Sequence, residues 1–189
     1  MIPFPDKKYK IIYADPPWHF NDRADTRGVE CKYSTMETIE LCDLPINTIS
    51  DDDCVLFMWG IFPMLQDCLD VIKAWGFEYK TIGFIWVKKS TTGRWFMGMG
   101  NWSRSNAEYC LIATKGKPKR VDAGINQILD TTPKQPSEKP NEVRNRILQL
   151  CGDLPRIELF ARTKIHGWDV WGDDPNLKTE PLEAFITKS

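Results

Sequence analysis

The segment Asp15-Pro16-Pro17-Trp18 combines residue types that could hold a planar amino group. It follows an apolar run at residues 11–14 that is short and β-branched, as buried strands are. The two prolines fix φ and lack a backbone N–H, so the turn is rigid and its carbonyls can accept hydrogen bonds. Open α/β sheets bind ligands at the carboxyl ends of their strands. This position therefore favours a binding site over the alternative, a rigid turn with no further role.

The exocyclic nitrogen of adenine is a group that such a turn would suit. Its lone pair is delocalised into the ring, which makes it a poor nucleophile. The carboxylate of Asp15 and the carbonyl of Pro16 could each accept one hydrogen of that NH₂ group, while Trp18 stacks on the ring. Two acceptors would favour a pyramidal, nucleophilic nitrogen and stabilise the positive charge that develops as it attacks. Alignment of the nitrogen with its electrophile would supply much of the remaining rate.

The size and composition of the chain predict one globular domain over residues 1–189. The chain has 189 residues, with 42% hydrophobic and 27% charged residues. No apolar run is long enough to cross a bilayer, and the first residues do not resemble a signal peptide, so no membrane association and a cytoplasmic location are expected. The net charge is −1, so nucleic-acid binding would need a local basic patch.

The cysteines and tryptophans carry different information. The six cysteines include no CxxC pair, and there are only two histidines, so neither a zinc site nor a disulfide framework is expected and no metal is predicted. Cysteines within apolar patterns should act as small hydrophobic residues. Eight tryptophans are many for this length. Most should fill the core, and some could stack on bases or a cofactor.

Hydrophobic patterning predicts an α/β fold with a mostly parallel, doubly wound sheet. Strands are predicted at 11–14, 54–59, 81–87, 108–114, 157–160 and 168–171, the last at an edge, with a brief edge pairing somewhere in 121–129. The third and fourth strands are close in sequence, which favours an antiparallel hairpin. Residues 173–189 have little pattern and are predicted to form a flexible tail.

Three helices are predicted between these strands. Ser34 or Thr35 could cap a short helix with Glu37 near its start. Pro63 should open a second helix, with Leu65, Leu69, Ile72 and Trp75 on its apolar face. A third helix should begin at Ser137 with Pro140 in its first turn. The second and third helices each have an apolar stripe, and the three helices are expected to cover both faces of the sheet.

An ordered set of motifs resembles the MT-A70 family of S-adenosylmethionine-dependent adenine N6 methyltransferases. The resemblance runs over roughly residues 9–174. It includes IIYADPPW at 11–18, YSTM at 33–36, LFMWG at 56–60, IWVK at 85–88, RSNAE at 104–108, KG at 115–116, EKP at 138–140, IELFAR at 157–162 and GWDVWG at 167–172. It implies a class I, Rossmann-like methyltransferase fold with permuted motif order. The strand before Asp15 would carry the catalytic turn, and the strand at 157–160 would open the cofactor half.

The resemblance also implies catalytic roles for Asp15, Pro16, Pro17, Trp18 and Tyr33. Asp15 and the Pro16 carbonyl would hold the target amino group, and Asp15 would also contact the cofactor ammonium. Trp18 would stack on the flipped base, although a core position is the alternative. Tyr33 would lie near the base and the methyl donor, or would only seal the adjacent loop.

Cofactor-binding roles are implied for residues in the second half of the chain. They fall on Lys139, Phe160, Arg162, Asp173 and Asp174, in addition to Asp15. Lys139 would pair with the cofactor carboxylate and Arg162 would bind the ribose region. Asp173 and Asp174 would lie near the adenosine, with solvated acids of a tail as the alternative.

Two polar loops, 19–32 and 88–105, should flank this site and contact nucleic acid. They combine phosphate-pairing charge with stacking surface. The predicted substrate contacts are Arg23, Arg27, Lys88, Arg94, Trp102 and Arg104, with Lys89 and Trp95 beside them. The alternative is that both loops are merely solvated.

The chain departs from the family pattern at two places. Some relatives have a His-Asn pair soon after the Arg162 position, where this chain has Thr163-Lys164-Ile165. Some also carry an acidic, adenine-binding segment well before the DPPW motif. Ile2 or Pro3 would have to cover the cofactor adenine instead.

The leading hypothesis is adenine N6 methylation of DNA, because the compact chain resembles the bacterial and phage members of the family. Methylation of RNA adenine is the alternative, and a non-catalytic member that only binds nucleic acid or a partner is a third possibility. No separate target-recognition domain is evident. Specificity would come from the loops, from a second subunit or from both, which makes a homodimer plausible.

Overall fold

The computed structural model describes residues 4–20, 35–98, 100, 102–133 and 138–172. Their strands are β1 (Tyr9–Ala14), β2 (Ser50–Gly60), β3 (Glu78–Lys88), β4 (Ala107–Lys115), β5 (Ile128–Thr131), β6 (Arg156–Leu159) and β7 (Asp169–Trp171). Their α-helices are α1 (Thr38–Cys42), α2 (Leu65–Ala74) and α3 (Glu142–Cys151), with 3₁₀ turns at Ile46–Thr48 and Phe62–Met64.

All of these strands join one sheet in the order β5-β3-β4-β2-β1-β6-β7. Strand β4 is antiparallel to both of its neighbours, β2 and β3. The other pairs are parallel. This confirms the predicted mostly parallel α/β sheet, its antiparallel hairpin and the edge position of β7. The late strand β6 pairs with β1, the first strand of the chain, as the permuted order requires.

The central strand β1 divides its side chains between two cores. Ile12 and Ala14 pack into a cluster with residues of α1 and α2. Ile11 and Tyr13 pack into a second cluster with residues of α3. Alternate side chains of a strand point to opposite faces, so the sheet is covered by helices on both sides, as predicted.

Two predicted helix starts are wrong. Helix α1 begins at Thr38, and Glu37 is its N-cap. The carboxylate of Glu40 accepts the Glu37 N–H at 2.8 Å. Glu37 and Glu40 therefore form the capping box of the first turn, and Thr35 does not cap the helix. Thr35 instead contacts the His19 ring with its hydroxyl, at 2.8 Å. Helix α3 begins at Glu142, so Pro140 precedes the helix instead of lying in its first turn. Ser34 and Ser137, the other predicted caps, lie outside the described residues.

The apolar face of α2 also differs from the prediction. Leu65, the first residue of the helix, is 43% exposed. The predicted Ile72 and Trp75 are buried and Leu69 is partly buried. Cys68 and Val71 are buried with them, at the i, i+3, i+4 spacing that turns one side of the helix to the sheet. No helix within the described residues is long and apolar enough to cross a membrane.

Candidate active site

The site lies where the sheet presents the carboxyl ends of its parallel strands. Asp15 directly follows β1, and Lys88 is the last residue of β3. Glu108 is the second residue of β4, whose antiparallel direction brings its beginning to the same edge. Lys139 precedes α3. Because side chains alternate along β1, Asp15 shares the α3 face with Tyr13 and so faces Lys139.

A buried ammonium joins two carboxylates at this edge. Lys139 Nζ lies 2.8 Å from the carboxylate of Asp15 and 3.3 Å from that of Glu108. The Lys139 side chain is only 9% exposed. Glu108 also accepts a hydrogen bond from Lys88 Nζ. The four side chains therefore form one chain of alternating charge, from Asp15 at the end of β1 to Lys88 on β3.

This arrangement holds its members in their charged forms. Burial alone would lower the pKa of the Lys139 ammonium, but the carboxylates of Asp15 and Glu108 outweigh it and raise that pKa above 10.5. Burial would likewise raise the pKa of Glu108, yet Lys139 and Lys88 hold it below its ordinary value of 4.5. Both residues are thus ionised at neutral pH.

Backbone hydrogen bonds fix the turn that follows Asp15. The Pro16 carbonyl accepts the Trp18 N–H at 2.9 Å, and the Pro17 carbonyl accepts the Met36 N–H at 2.8 Å. The His19 N–H in turn donates to the Met36 carbonyl at 3.1 Å. The turn is therefore tied to the segment that leads into α1.

Trp18 packs partly into the core, and its stacking on a base stays a prediction. Its side chain is partly buried and packs against the core on the α1–α2 face. Its indole Nε1 donates to the Trp59 carbonyl at 3.1 Å. This hydrogen bond fixes the orientation of the Trp18 ring, and part of the side chain stays exposed to solvent beside the turn.

Trp59 is a supporting residue that the sequence did not single out. It is fully buried near the end of β2, and its Nε1 donates to the Tyr13 hydroxyl at 2.7 Å. The Lys139 ammonium lies 5.5 Å from the centre of its ring, within the range of a cation–π interaction. The sequence shows Trp59 within the LFMWG motif, but its contact with Lys139 depends on the order of the strands in the sheet.

A second buried ion pair lies on the same face of the sheet. Arg144 of α3 donates from Nε and Nη2 to the two oxygens of Glu158 on β6, at 2.7 and 2.6 Å. Its Nη1 also donates to the Asn141 side chain at 2.6 Å. The guanidinium lies 5.5 Å from the centre of the Tyr13 ring. This pair fixes the start of α3, and therefore Lys139, relative to the central strands.

The ends of β6 and β7 form the second part of the candidate site. Phe160 follows β6 with a φ of +60°, and among the described residues it is the one non-glycine position with positive φ. Strained backbone of this kind is concentrated at functional sites. The Ala161 N–H donates to the Trp171 carbonyl at 3.2 Å, and Arg162 is partly buried beside it. Phe4 stacks on Trp171 at 4.3 Å, so an N-terminal residue covers this end.

A cavity of about 200 Å³ lies next to Lys139. Its described lining comprises Trp86, 131–133 and 138–142. Trp86 is buried, and its Nε1 donates to the Thr131 hydroxyl at 2.9 Å. Lys139 thus lines this cavity and also contacts Asp15.

The structure brings some of the predicted residues together and leaves others apart. Asp15 and Lys139 are in direct contact, Lys88 joins them through Glu108, and Phe160 and Arg162 lie at the neighbouring strand end. The remaining described loop residues, Arg94, Trp102 and Arg104, are exposed. Tyr33, Arg23, Arg27, Asp173, Asp174, Ile2 and Pro3 lie outside the described residues.

Glu108 is the charged residue that the sequence missed. It belongs to the RSNAE motif, but it had no assigned role because the neighbours of β4 were unknown. An acidic residue at the start of a predicted antiparallel strand, next to a sheet edge rich in functional residues, is the signal that could have found it.

Most of the described tryptophans and cysteines fill the core, as the sequence predicted. Buried tryptophans are Trp59, Trp75, Trp86, Trp168 and Trp171. Trp95 and Trp102 are exposed at 58% and 102%. Cys54, Cys68 and Cys110 are fully buried within apolar clusters, and burial raises the pKa of Cys54 and Cys68 to about 12.

Comparison with known proteins adds independent information about this site. The MT-A70 family model matches residues 9–174. The chain is 35% identical to the Type II methyltransferase M.MunI of Mycoplasma sp, over 98% of this chain and 86% of that protein. It is 30% identical to the N(6)-adenosine-methyltransferase MT-A70-like protein of Drosophila melanogaster and 29% identical to the catalytic subunit METTL3 of Homo sapiens. Each match covers 82% of this chain but only 24% and 26% of those longer proteins.

A sheet with one antiparallel strand and a charged site at its carboxyl edge defines a Rossmann-like fold of the methyltransferase type. The chain belongs to the MT-A70 family, which confirms the resemblance seen in its motifs.

Proposed function

We propose that this protein transfers a methyl group from S-adenosylmethionine to the N6 amino group of adenine in DNA. The observation that carries the proposal is the position of the Asp15 carboxylate, held at the end of β1 by the buried ammonium of Lys139, 2.8 Å away. Beside it is the rigid carbonyl of Pro16. A pair of acceptors in a fixed arrangement, next to an aromatic ring, is what a planar amino group requires.

The acceptors retain capacity for the substrate. A carboxylate has about four lone-pair sites, and Lys139 occupies only part of them. The Pro16 carbonyl accepts one N–H, from Trp18, and keeps a second lone pair. Asp15 and Pro16 can therefore each take one hydrogen of an adenine NH₂ group. Their negative charge and dipole would stabilise the positive charge that grows on the nitrogen during attack.

The charged residues also fit the proposed cofactor. S-adenosylmethionine carries an ammonium, a carboxylate and ribose hydroxyls, and when bound it would supply the methyl group from its sulfonium. Lys139 offers a buried cation to the carboxylate, and Asp15 offers an anion to the ammonium. In the present structure these two side chains form an ion pair with each other. A bound zwitterion could replace this contact, with its carboxylate on Lys139 and its ammonium on Asp15, and every charge would keep a partner of opposite sign. Arg162 and the strained backbone at Phe160 would hold the ribose region.

The choice of DNA rests on the extent of similarity. The chain spans most of the Type II methyltransferase that it resembles, and only about a quarter of the N(6)-adenosine-methyltransferases. Methylation of RNA is the second candidate, because those longer relatives share 82% of this chain. The complete Asp15-Pro16-Pro17-Trp18 turn argues against a non-catalytic member. A homodimer and a cytoplasmic location stay predictions, as do the roles of Tyr33, Asp173 and Asp174.

Transfer of labelled methyl groups to DNA and RNA tests this proposal. The purified protein is incubated with labelled S-adenosylmethionine and either plasmid DNA or total RNA, and the products are digested to nucleosides for mass spectrometry. We expect N6-methyldeoxyadenosine from DNA. Label that appears only in RNA, or on another base, would contradict the proposal.

A further inference from the structure

The segment between β3 and β4 exposes a group of large apolar side chains. Trp102 is 102% exposed and Met97 is 72% exposed, and Phe96, next to Met97 in the sequence, is 44% exposed. We call these three residues the apolar tip. Exposed apolar groups of this size on a soluble domain mark interaction sites.

Backbone hydrogen bonds join the two described arms of this segment. Ser90 N–H donates to the Arg94 carbonyl at 2.8 Å, and Gly98 N–H donates to the Ser105 carbonyl at 2.9 Å. A Cβ atom on Gly98 would collide with the same Ser105 carbonyl oxygen, so glycine permits the two arms of the segment to lie in contact. Phe96 and Met97 thus lie directly before a point at which the two arms are paired.

The base of this segment adjoins the candidate active site. Phe96 N–H donates to the Lys88 carbonyl at 2.9 Å. The Lys88 side chain is bonded to Glu108, which in turn lies 3.3 Å from Lys139, the partner of Asp15. The apolar tip therefore projects from the same sheet edge at which Asp15 would receive an amino group.

The charges around the apolar tip complement a polyanion. Arg94 and Arg104 are exposed on the two arms of the segment. Lys89 is bonded to Asp130 and lies 5.2 Å from the centre of the Trp95 ring, so Trp95 is anchored and belongs to the support. Exposed apolar groups between arginines match a stack of bases between two phosphate backbones.

We propose that the apolar tip inserts into the base stack of duplex DNA, with Trp102 filling the space that the target adenine leaves as it turns toward Asp15. This inference rests on the proposed function and specifies its substrate as a duplex. An adenine inside a duplex must leave the stack to reach a site at a sheet edge. Apolar side chains inserted between base steps are a known means of opening a stack.

The test compares paired and unpaired targets with matched variants. The methylated site is first mapped in plasmid DNA, and short duplexes are made with the target adenine either paired or opposite an abasic position. Trp102→Ala, Trp102→Phe and Val121→Ala are assayed. Val121 is another exposed apolar residue, 68% exposed, whose N–H bonds to Leu150 near the far end of α3.

We expect Trp102→Ala to slow methylation of the paired duplex about tenfold or more, since it removes the stacking of an aromatic ring on the neighbouring bases. The loss should shrink with the unpaired target, because extrusion then costs less. Trp102→Phe should recover part of the rate, and Val121→Ala should match the wild type. With 2-aminopurine at the target position, the fluorescence increase on binding should be lost in Trp102→Ala.

Other outcomes would overturn the inference in distinguishable ways. An equal loss on both duplexes, or no loss, would show that the apolar tip does not open the stack, while the proposed methylation would stand. A change in oligomeric mass caused by Trp102→Ala would assign the apolar tip to contacts between copies of the chain. Failure of the wild type to methylate any DNA would overturn the proposed function and this inference together.

Discussion

Two buried ion pairs lie on the same face of the sheet, and they differ in how completely each is satisfied. Arg144 and Glu158 are joined by two parallel hydrogen bonds, and their side chains are 11% and 8% exposed. Lys139 is as buried, at 9%, but its partner Asp15 is 23% exposed. The ammonium also divides itself between two carboxylates. The first pair is closed, and the second opens toward the carboxyl edge of the sheet.

The chemistry of the two cations explains this difference. A guanidinium is planar and holds a carboxylate in a fixed bidentate geometry, which suits a fixed structural contact between α3 and β6. An ammonium is a point charge on a flexible stem, and it can exchange one anionic partner for another. We therefore propose that the Arg144–Glu158 pair supports the site, whereas Lys139 and Asp15 bind the cofactor and the amino group.

The largest effect on stability is expected from breaking the closed pair. Arg144→Leu would leave the Glu158 carboxylate buried without its partner, and loss of one member of a buried pair costs about 3–5 kcal/mol. Urea denaturation should show this decrease in the free energy of unfolding.

The double variant Arg144→Leu/Glu158→Leu is the control for that prediction. It removes both charges and should recover much of the loss, because apolar replacement of a buried pair is often neutral. If the double variant were no more stable than the single one, the cost would come from packing rather than from an unpaired charge.

At the open pair, Glu108→Gln is expected to have a smaller effect, on the rate of methyl transfer. The substitution removes one of two carboxylates at Lys139 and should slow methyl transfer about tenfold, in line with 1.5–3 kcal/mol for a hydrogen bond to a charged group. Glu108 would act as a positioning residue, so the pH profile provides the decisive readout. Because Asp15 and Glu108 raise the pKa of Lys139, loss of one should lower it, and the alkaline decline in rate should begin at a lower pH.

Acid stability supplies the second readout for Glu108. Its pKa is lowered in the folded state, so its contribution to stability is present above 4.5, its ordinary value, and is lost as the pH falls through the lowered pKa. Glu108→Gln should therefore weaken the acid-induced loss of stability below that value. Unchanged acid and alkaline limbs would show that Glu108 is not coupled to Lys139.

Local patterns were sufficient for the elements and for the turn that organises the site. The β-branched run at 11–14 predicted β1, and the acidic and proline residues after it placed Asp15 at a strand end. Contiguous apolar runs likewise predicted β2 and β6. These features depend only on residues close together in the sequence, so they can be predicted from the sequence alone.

Features that depend on strand order could not be read in the same way. Glu108 meets Lys139 because β4 runs antiparallel to its neighbours, and neither residue carries a local signal of the other. The bond from Trp59 to Tyr13 likewise requires β1 and β2 to be adjacent. Helix starts were mispredicted at Thr35 and Ser137 because several polar residues compete as caps.

Asp15→Asn tests the central claim most directly, because it keeps the shape of the side chain and removes its charge. It is measured for methyl transfer to DNA, for binding of S-adenosylmethionine by calorimetry and for unfolding in urea. We expect transfer to fall by about 100-fold or more, with cofactor binding at least partly retained. The free energy of unfolding should fall by less than in Arg144→Leu, because Glu108 still pairs with the buried Lys139 ammonium. Transfer at the wild-type rate would contradict the assignment of Asp15 as the residue that holds the adenine amino group.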